Sequence, residues 1–458
     1  MKLTFCGAAR AVTGSCIHVQ LPRYQLLVDC GLQQGPDLID NYTFPFSAKE
    51  INAVLLTHCH ADHCGRLPFL IQQGFTGPIW MTKPTAQLLK IMLQEQLLRQ
   101  QHASHRHSGK QHKLPCITQH DVDATLQQIR ICRYKQWQTL QKDVQFCFYD
   151  AGHILGSASI VLQYCEQKQV RQLLFSGDLG NQHMPMVEDP QQTASAQTVI
   201  MESTHGDHCY FSQQDYLQPL ANLLQQTFQK QGTVLIPAAA IGRTQELLYC
   251  LHIIKQKELV PALPDFPVYV DSTLAYEACQ IYNDNTLDEF LDEEARQLKN
   301  QCGALLDFPA LHFCTTQQQS RQLWQNQQPK VLIAPDSMAG SGPICSYLRQ
   351  YLPKPQTTVV LLGIPRRNTI AHLLLEHTKQ LTLQEQHIPV RAHIASLPVR
   401  PIHADQPALL HWLQQLPAKP CRVLLNHGDA DTSLFLSALL QQYGYHTQVP
   451  RYGETISI

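Results

Sequence analysis

The sequence lacks the features that would place a protein in a membrane or outside the cell. No apolar run among its 458 residues is long enough to cross a bilayer. The N-terminus has neither the charged start, the apolar stretch nor the cleavage site of a secretion signal. We therefore expect a soluble, cytoplasmic protein that does not associate with membranes.

Closely spaced cysteine pairs and a strong net charge are absent as well. Sixteen cysteines are scattered without a C-x-x-C pair, which is typical of reduced, mostly buried thiols in a cytosolic protein. The net charge is -1, so a nucleic-acid partner would need a locally positive groove rather than a global field. With 44% hydrophobic and 16% charged residues, the chain has a globular composition and room for two domains.

What the chain does contain is a dense cluster of metal-ligand residues. The apolar run Ala53–Leu56 predicts a buried strand that leads directly into the motif H-C-H-A-D-H. His58 and His60 are two apart, so their side chains leave the same face of an extended chain. Asp62 and His63 follow as the chain turns. Imidazole and carboxylate together suit Zn²⁺ and related divalent ions, whereas a histidine-rich surface loop would not follow a buried strand.

The pattern H-x-H-x-D-H resembles the signature of the metallo-β-lactamase superfamily of binuclear metallohydrolases. Three more strand ends carry fitting residues, namely Asp29, His153 and Asp178. In the superfamily, an aspartate at the place of Asp29 holds a ligand histidine from behind, although it would also serve as a turn cap. Two metals about 3.5–4 Å apart need a shared anionic ligand. Asp178 is the candidate bridge, with a plain turn residue as the alternative.

A second block of the chain alternates strands with helices. The apolar runs Val234–Pro237, Val268–Asp271 and Val331–Ala334 predict a mostly parallel sheet. Within this block, Arg243 and Thr244 stand where a loop enters a helix. Free amides and an arginine at a helix start would hold a substrate phosphate. Ordinary helix capping explains the same residues equally well.

Four further motifs make the resemblance more specific. They resemble the motifs of the β-CASP family and stand at Glu202–Thr204, Gly242–Glu246, His403–Asp405 and His427-Gly428. Members of this family are metallo-β-lactamase-fold nucleases that act on RNA or DNA. The resemblance covers nearly the whole chain. It is strongest to small bacterial members, related to RNase J and to the nuclease subunit of the cleavage and polyadenylation machinery.

The resemblance implies an architecture and an activity. The fold would be α/β, a metallo-β-lactamase αββα sandwich with an inserted β-CASP α/β cap domain. The sandwich would comprise residues 1–202 and 391–458, and the cap residues 203–390. The activity would be that of a zinc-dependent ribonuclease with two Zn²⁺ ions per chain, acting internally or from a 5′ end. RNA-acting members carry histidine where this chain has His427, which implies single-stranded RNA as substrate. A homodimer is one candidate assembly.

Carried over by position, the resemblance also assigns roles to individual residues. Asp29 would lie behind the metals, Glu202 would orient His403, and His403 would be the general acid. The metal ligands would form two groups that share Asp178: His58, His60 and His153 for one ion, and Asp62, His63 and His427 for the other.

Each of these parts would meet a need of phosphodiester hydrolysis. A metal-bridging hydroxide would be the nucleophile, because metal binding lowers the pKa of water from about 15.7 to about 7. Two divalent ions would stabilise the charge that develops on the phosphoryl oxygens. The leaving sugar oxygen needs a proton, which a histidine with a pKa of about 6.5 can donate. His403 fits this role because the set of metal ligands is complete without it.

Two other functions share part of the pattern. A small-molecule metallohydrolase, such as a thioesterase or lactonase, has the first ligand cluster but neither the inserted block nor a counterpart of His403. A non-catalytic RNA-binding or scaffold relative would usually have lost ligands, and none is missing here. Departures from the family motifs at Ser337 and at Pro401-Ile402 affect the predicted grip on substrate rather than metal binding.

Two other stretches carry weaker predictions. Four arginines could bind the phosphates of the RNA backbone, namely Arg366, Arg367, Arg391 and Arg400. Each of them is also typical of a solvated charged face. The polar stretch His102–His112 contains several histidines, but no strand or helix fixes them. We predict a loop there rather than a second metal site.

Overall fold

The computed structural model describes residues 1–106, 116–166, 168–210, 216–363, 365, 368–383 and 385–458, and of residues 102–106 only the helical backbone. The side chains of His102–His112 therefore lie outside the description. The backbone of residues 102–106 continues a helix, so the prediction of a loop is wrong for these residues, and residues 107–112 lie outside the described part. The chain divides into two compact units. One comprises Met1–Tyr210, Glu289–Leu291 and Ile402–Ile458, and the other Phe211–Asp288 and Asp292–Pro401. The main divisions thus fall further along the chain than the predicted boundaries at 203 and 390.

The elements are numbered in chain order over the described residues. The strands are β1 (Lys2–Phe5), β2 (Ile17–Leu21), β3 (Tyr24–Val28), β4 (Ala53–Leu55), β5 (Ile79–Met81), β6 (Ile129–Ile131), β7 (Gln138–Gln141), β8 (Val144–Asp150), β9 (Ala158–Glu166), β10 (Gln169–Phe175), β11 (Thr198–Glu202), β12 (Thr233–Pro237), β13 (Val268–Asp271), β14 (Leu311–Cys314), β15 (Lys330–Ala334), β16 (Thr358–Leu362), β17 (Gln380–Leu383), β18 (Gln386–Pro389), β19 (His393–Leu397), β20 (Arg422–Asn426), β21 (Thr447–Gln448) and β22 (Thr455–Ser457). The α-helices are α1 (Ala61–Cys64), α2 (Leu67–Gln72), α3 (Lys83–Arg106), α4 (Gln119–Gln127), α5 (Leu217–Gln229), α6 (Arg243–Gln256), α7 (Thr273–Tyr282), α8 (Glu293–Cys302), α9 (Gln317–Gln325), α10 (Pro343–Tyr351), α11 (Ile370–Leu375), α12 (Gln406–Gln414) and α13 (Ala430–Gln442).

The first unit is built on two sheets. One has the strand order β22-β1-β2-β3-β4-β5-β6, and the other the order β21-β20-β11-β10-β9-β8-β7. In the first sheet β22 pairs antiparallel with β1, and in the second β20 pairs parallel with β11. The C-terminal segment of the chain therefore contributes strands to both sheets.

Alternating side chains explain why the two sheets lie face to face. Phe5 of β1 and Phe146 and Phe148 of β8 are fully buried in one apolar core that draws on both sheets. On the outer face of the second sheet, Val161 and Trp412 belong to a separate core to which α12 and α13 contribute. On the first sheet, α3 contacts β6 and α4. The layers are helix, sheet, sheet and helix, which is the αββα sandwich that the sequence predicts.

The second unit contains a six-stranded sheet in the order β14-β13-β15-β12-β16-β19. All its pairings are parallel, and the three apolar runs of the sequence become β12, β13 and β15, so the prediction of a parallel α/β block is confirmed. Leu235, Leu332 and Val359 of the sheet share a core with Tyr347 and Leu348 of α10.

Among the described residues, no helix combines the length and apolar character needed to span a membrane.

A buried lysine sits at the start of β15. The side chain of Lys330 is fully buried, and its Nζ donates hydrogen bonds to the carbonyl oxygens of Asn326 at 2.5 Å and Gln328 at 2.8 Å. Burial, together with the nearby positive charge of Lys354, lowers the pKa of Lys330 to about 8. The charged form therefore opposes folding at neutral pH, because the ammonium is fully solvated in the unfolded chain.

We predict that Lys330→Met changes how stability depends on pH. In the folded wild-type protein Lys330 releases its proton above about pH 8, whereas the unfolded chain keeps it until about pH 10.5. Relative to the variant, the wild-type protein should thus gain roughly 2–3 kcal/mol of unfolding free energy between pH 7 and about pH 10. Urea unfolding of both proteins at each pH measures this difference, and a constant difference would contradict the assignment.

Candidate metal centre

Strand direction brings the candidate ligands to one edge of the second sheet. Strand β9 is antiparallel to both β8 and β10, while β10, β11 and β20 are mutually parallel, so the carboxyl ends of β8, β10, β11 and β20 share an edge. His153, Asp178 and His427 follow three of these ends, and Glu202 is the last residue of β11. The segment His58–His63 joins them from the end of β4 in the first sheet and leads into α1.

Two glycines allow the backbone to pass close behind the ligands. A Cβ on Gly31 would lie 1.6 Å from the carbonyl oxygen of Asp62, and a Cβ on Gly428 would lie 2.5 Å from Oγ of Ser203. Only glycine fits at such distances. His427, directly before Gly428, adopts a left-handed backbone with φ of 52°, which aims its ring toward the same space as His63.

The first group of ligand atoms is formed by three imidazoles and a carboxylate. Nε2 of His58 lies 3.0 Å from Nδ1 of His60, and Nε2 of His153 lies 3.2 Å from the same Nδ1. Oδ2 of Asp178 lies 3.5 Å from Nε2 of His58 and 3.7 Å from Nε2 of His153. The four residues therefore point nitrogen and oxygen atoms at one small volume.

The second group lies on the other side of Asp178. Nε2 of His63 and Nε2 of His427 are 3.0 Å apart, and Oδ2 of Asp62 is 3.6 Å from Nε2 of His427. Asp178 contacts this group too, with Oδ2 at 3.2 Å from His63 and Oδ1 at 3.6 Å from His427. A single carboxylate thus faces both groups, and its role as a shared metal ligand stays a prediction.

These residues fit divalent metal ions. In each group the ligand atoms lie within 4.8 Å of one another, and the set consists of imidazole nitrogens and carboxylate oxygens, which are zinc ligands. Oδ1 of Asp178 is buried and has no hydrogen-bond partner among the described residues. An unpaired, buried carboxylate oxygen is costly, and a cation would satisfy it.

Burial keeps two of the imidazoles in the form that binds metal. Burial and the neighbouring His63 lower the pKa of His58, and burial and the neighbouring His403 lower the pKa of His153. Both rings are therefore neutral near pH 7, with a lone pair available on Nε2. For Asp62, burial alone would raise the carboxyl pKa, but the hydrogen bond from His427 and the nearby imidazoles bring it below its usual range.

Four of the ligand histidines have a partner on the ring nitrogen that faces away from the ligand group. Nδ1 of His63 lies 2.7 Å from Oδ2 of Asp29. The same oxygen accepts a hydrogen bond from Oγ of Ser15 at 3.2 Å, and Oδ1 of Asp29 accepts the backbone N–H of Thr57 at 2.9 Å. Asp29 thus lies behind a ligand histidine, where the sequence analysis puts it. Such contacts fix the ring and the tautomer of a metal ligand.

The other three partners are not predicted from the sequence. Oγ1 of Thr57 lies 3.1 Å from Nδ1 of His58, and Oγ1 of Thr204 lies 3.1 Å from Nδ1 of His427. The carbonyl oxygen of Ile402 lies 3.4 Å from Nδ1 of His153. The two threonines could have been found in the sequence, since Thr57 directly precedes the first ligand and Thr204 ends the Glu202 motif. The carbonyl of Ile402 could not, because every residue has a backbone carbonyl.

His403 lies beside the ligand groups with a carboxylate behind it. Nδ1 of His403 is 3.1 Å from Oε2 and 3.3 Å from Oε1 of the buried Glu202, and Oε1 also accepts the backbone N–H of Leu179 at 2.6 Å. Burial lowers the pKa of His403, but the charges of Glu202 and Asp178 outweigh it and raise the pKa to about 9. Its ring centre is 4.7 Å from that of His153.

Arg243 and Thr244 lie in the second unit, at the start of α6. Their side chains form an ion pair and a hydrogen bond within that unit. Nη1 of Arg243 pairs with Oε2 of Glu246 at 2.6 Å, and Oγ1 of Thr244 donates to the carbonyl of Ala239 at 2.7 Å. Oε1 of Gln245 accepts a hydrogen bond from the backbone N–H of Gly242, at the start of the helix, at 2.7 Å. These contacts favour helix capping, and the substrate role of Arg243 and Thr244 stays a prediction.

For the other phosphate-binding candidates, including Arg391, the substrate role stays a prediction. Arg366 and Arg367 lie outside the described residues. Nη2 of Arg243 donates to the backbone carbonyl of Arg400 at 3.1 Å, which fixes the backbone of Arg400 but leaves the role of its guanidinium a prediction.

We predict that Asp29→Asn weakens metal binding by about 10- to 100-fold. The amide that replaces the carboxylate would interact less strongly with Nδ1–H of His63, so this ring would lose its fixed orientation. Metal affinity is measured by competition with a chromogenic chelator. Asp123→Asn makes the same chemical change at an exposed position on α4 and should leave affinity unchanged. Equal affinities for the two variants would contradict the role of Asp29.

Family models match three consecutive parts of the chain. The model of the metallo-β-lactamase superfamily domain matches residues 18–176 and that of the β-CASP domain matches residues 244–374. The model of the Zn-dependent metallo-hydrolase RNA specificity domain matches residues 387–450. Together they include every candidate ligand except Asp178, and they have the order expected for an insertion.

The chain is also similar to known proteins over most or all of its length. It is 31% identical to ribonuclease TTHA0252 of Thermus thermophilus, with 100% of both chains covered. It is 27% identical to an RNase J-like protein of Methanocaldococcus jannaschii, over 100% of this chain and 99% of that protein. It is 26% identical to cleavage and polyadenylation specificity factor 73 of Drosophila melanogaster, over 95% of this chain and 61% of that protein. The chain therefore belongs to the β-CASP family of metallo-β-lactamase-fold ribonucleases.

Proposed function

We propose that this protein is a zinc-dependent ribonuclease that hydrolyses single-stranded RNA with two Zn²⁺ ions per chain. The observation that carries the proposal is the placement of Asp178 between two groups of ligand atoms, with His403 and Glu202 beside them. The first group, His58, His60 and His153, would hold one ion. The second, Asp62, His63 and His427, would hold the other.

The residues of the site have separate tasks. Bound zinc would supply an ionised water as nucleophile and positive charge opposite the phosphoryl oxygens. Asp29 and Thr204 hold ligand rings in place through Nδ1 of His63 and of His427. The carboxylate of Glu202 accepts a hydrogen bond from Nδ1–H of His403. This contact directs Nε2 of the ring away from the carboxylate. Nε2–H would then donate a proton to the leaving sugar oxygen, a step worth about 10²–10⁴-fold in rate.

RNA is the substrate that the relatives support. The matched model for residues 387–450 is described as an RNA specificity domain, and a relative of equal length is named a ribonuclease. Burial supports the single-stranded form, since His58 and His63 are at most 1% exposed. A flexible, unpaired strand can bring a phosphate to such buried atoms more readily than a stiff duplex.

The protein's location and assembly stay predictions. All sixteen cysteines are free thiols, which supports the proposed cytoplasmic location. The homodimer would be tested by light scattering of the purified protein.

We expect His403→Ala to retain metal but to lose about 10²–10⁴-fold in turnover, because the proton donor is gone while the ligands remain. Cleavage of end-labelled single-stranded RNA gives the rate, and elemental analysis gives the metal content. His411→Ala, which removes an exposed histidine of α12, serves as the matched control and should cleave normally. Normal cleavage by the His403 variant would exclude it as the acid.

Chelation should abolish RNA cleavage, and adding zinc should restore it together with about two ions per chain. The same treatment should not unfold the protein, because the buried cores of both sheets do not depend on the ligands. Circular dichroism checks the fold, and elemental analysis counts the ions. Full activity in protein shown to contain no metal would overturn the proposal.

A further inference from the structure

Three aromatic or imidazole rings lie beside His403 without a role in binding metal or transferring the proton. We call His205, His208 and Tyr210 the ring cluster. The ring centre of His205 is 6.0 Å from that of His403 and 5.7 Å from that of Tyr210. The rings of His208 and Tyr210 are nearly parallel, with centres 6.0 Å apart and planes inclined by 16°. The cluster thus extends from the general acid along a single loop.

The loop that carries the ring cluster is held in shape by the segment after His403. The backbone of His205 forms a β-bridge with Asp405, and Oδ2 of Asp405 accepts the backbone N–H of Tyr210 at 2.9 Å. The backbone N–H of Gln406 donates to the carbonyl of His208 at 2.9 Å. These bonds tie the loop to Asp405 and Gln406, which directly follow the segment of the proton donor, so the cluster is preorganised relative to His403.

A close backbone approach fixes the same loop from the opposite side. A Cβ on Gly206 would lie 2.8 Å from Cβ of Leu436 on α13, so the loop contacts the helix directly. The backbone N–H of His208 donates to the carbonyl of His205 at 3.1 Å, which closes a turn. This turn orients the rings of His208 and Tyr210 alike.

The chemistry of the loop suits a nucleobase rather than a phosphate. The side chain of His208 is 46% exposed, and Tyr210 is half-buried. Two carboxylates adjoin these rings: that of the exposed Asp207 pairs with Nδ1 of His208 at 2.6 Å, and that of the buried Asp405 accepts the backbone N–H of Tyr210. Carboxylates repel phosphate, whereas imidazole and phenol rings offer flat faces on which unpaired bases stack.

We propose that the ring cluster is a nucleobase subsite, in which the base of the nucleotide that carries the leaving oxygen stacks on Tyr210 and His208. This inference rests on the proposed ribonuclease function. His403 protonates the leaving oxygen. His205 of the cluster is in ring contact with His403, and hydrogen bonds join the loop to Asp405 and Gln406, which follow it. The leaving nucleotide is therefore the part of the RNA nearest to these rings. Stacking would hold that nucleotide while its oxygen receives the proton.

The test is a kinetic comparison on a single-stranded RNA with one dominant cleavage site. Tyr210→Ala should raise KM by about 5- to 100-fold, the range expected for one lost base stack, with kcat nearly unchanged. Tyr210→Phe, which keeps the ring, should behave like wild type. His208→Ala should raise KM as well. Tyr443→Ala removes an exposed tyrosine at the end of α13 and should have no effect.

A set of RNAs with one abasic ribose at successive positions identifies the stacked base. At the position next to the leaving oxygen, loss of the base should raise the KM of wild type to that of Tyr210→Ala and leave the variant unchanged. Unchanged KM for both alanine variants, or a rise that persists with every abasic RNA, would overturn the subsite. Wild-type cleavage of the intact RNA tests the ribonuclease function separately, so the two failures are distinguishable.

Discussion

Asp178 is the constraint on which the rest of the site depends. Its carboxylate faces nitrogen atoms of both ligand groups, and one of its oxygens is buried with no hydrogen-bond partner in the described part of the chain. Imidazole nitrogens that face each other at 3.0 Å, as in His63 and His427, repel unless a proton or a cation lies between them. A site of this kind has a low free energy only when it is loaded, so metal binding and local order are linked.

The fold brings together residues that are far apart in the sequence. The first ligands stand near residue 58, and His427 comes from the last part of the chain, after the whole second unit. The parallel pairing of β20 with β11 closes this gap, because Asn426 pairs with Glu202. The residues that follow both strands, including Thr204 and His427, then meet in contact with each other. The insertion therefore interrupts the sequence of the sandwich but not its sheet.

The sequence predicts the parts of this arrangement that have a residue-type signal. Strand ends that lead into histidine or aspartate locate β4, β8 and β10 and the candidate ligands that follow them. Motif resemblance supplies the groupings, which spacing alone does not. The partner of His153 escapes prediction because it is a backbone carbonyl, that of Ile402. For Arg243, the sequence leaves a phosphate contact open, and only coordinates reveal its ion pair with Glu246. The loop up to Tyr210 groups with the sandwich rather than with the inserted block, and its Tyr210 N–H is hydrogen-bonded to Asp405.

The central claim is that two metal ions flank Asp178. Anomalous diffraction from crystals of the zinc-loaded protein, recorded on both sides of the zinc absorption edge, tests it most directly. The account predicts two zinc peaks about 3.5–4 Å apart. One should lie among His58, His60 and His153 and the other among Asp62, His63 and His427, with Asp178 touching both. A single peak, or peaks away from Asp178, would contradict it.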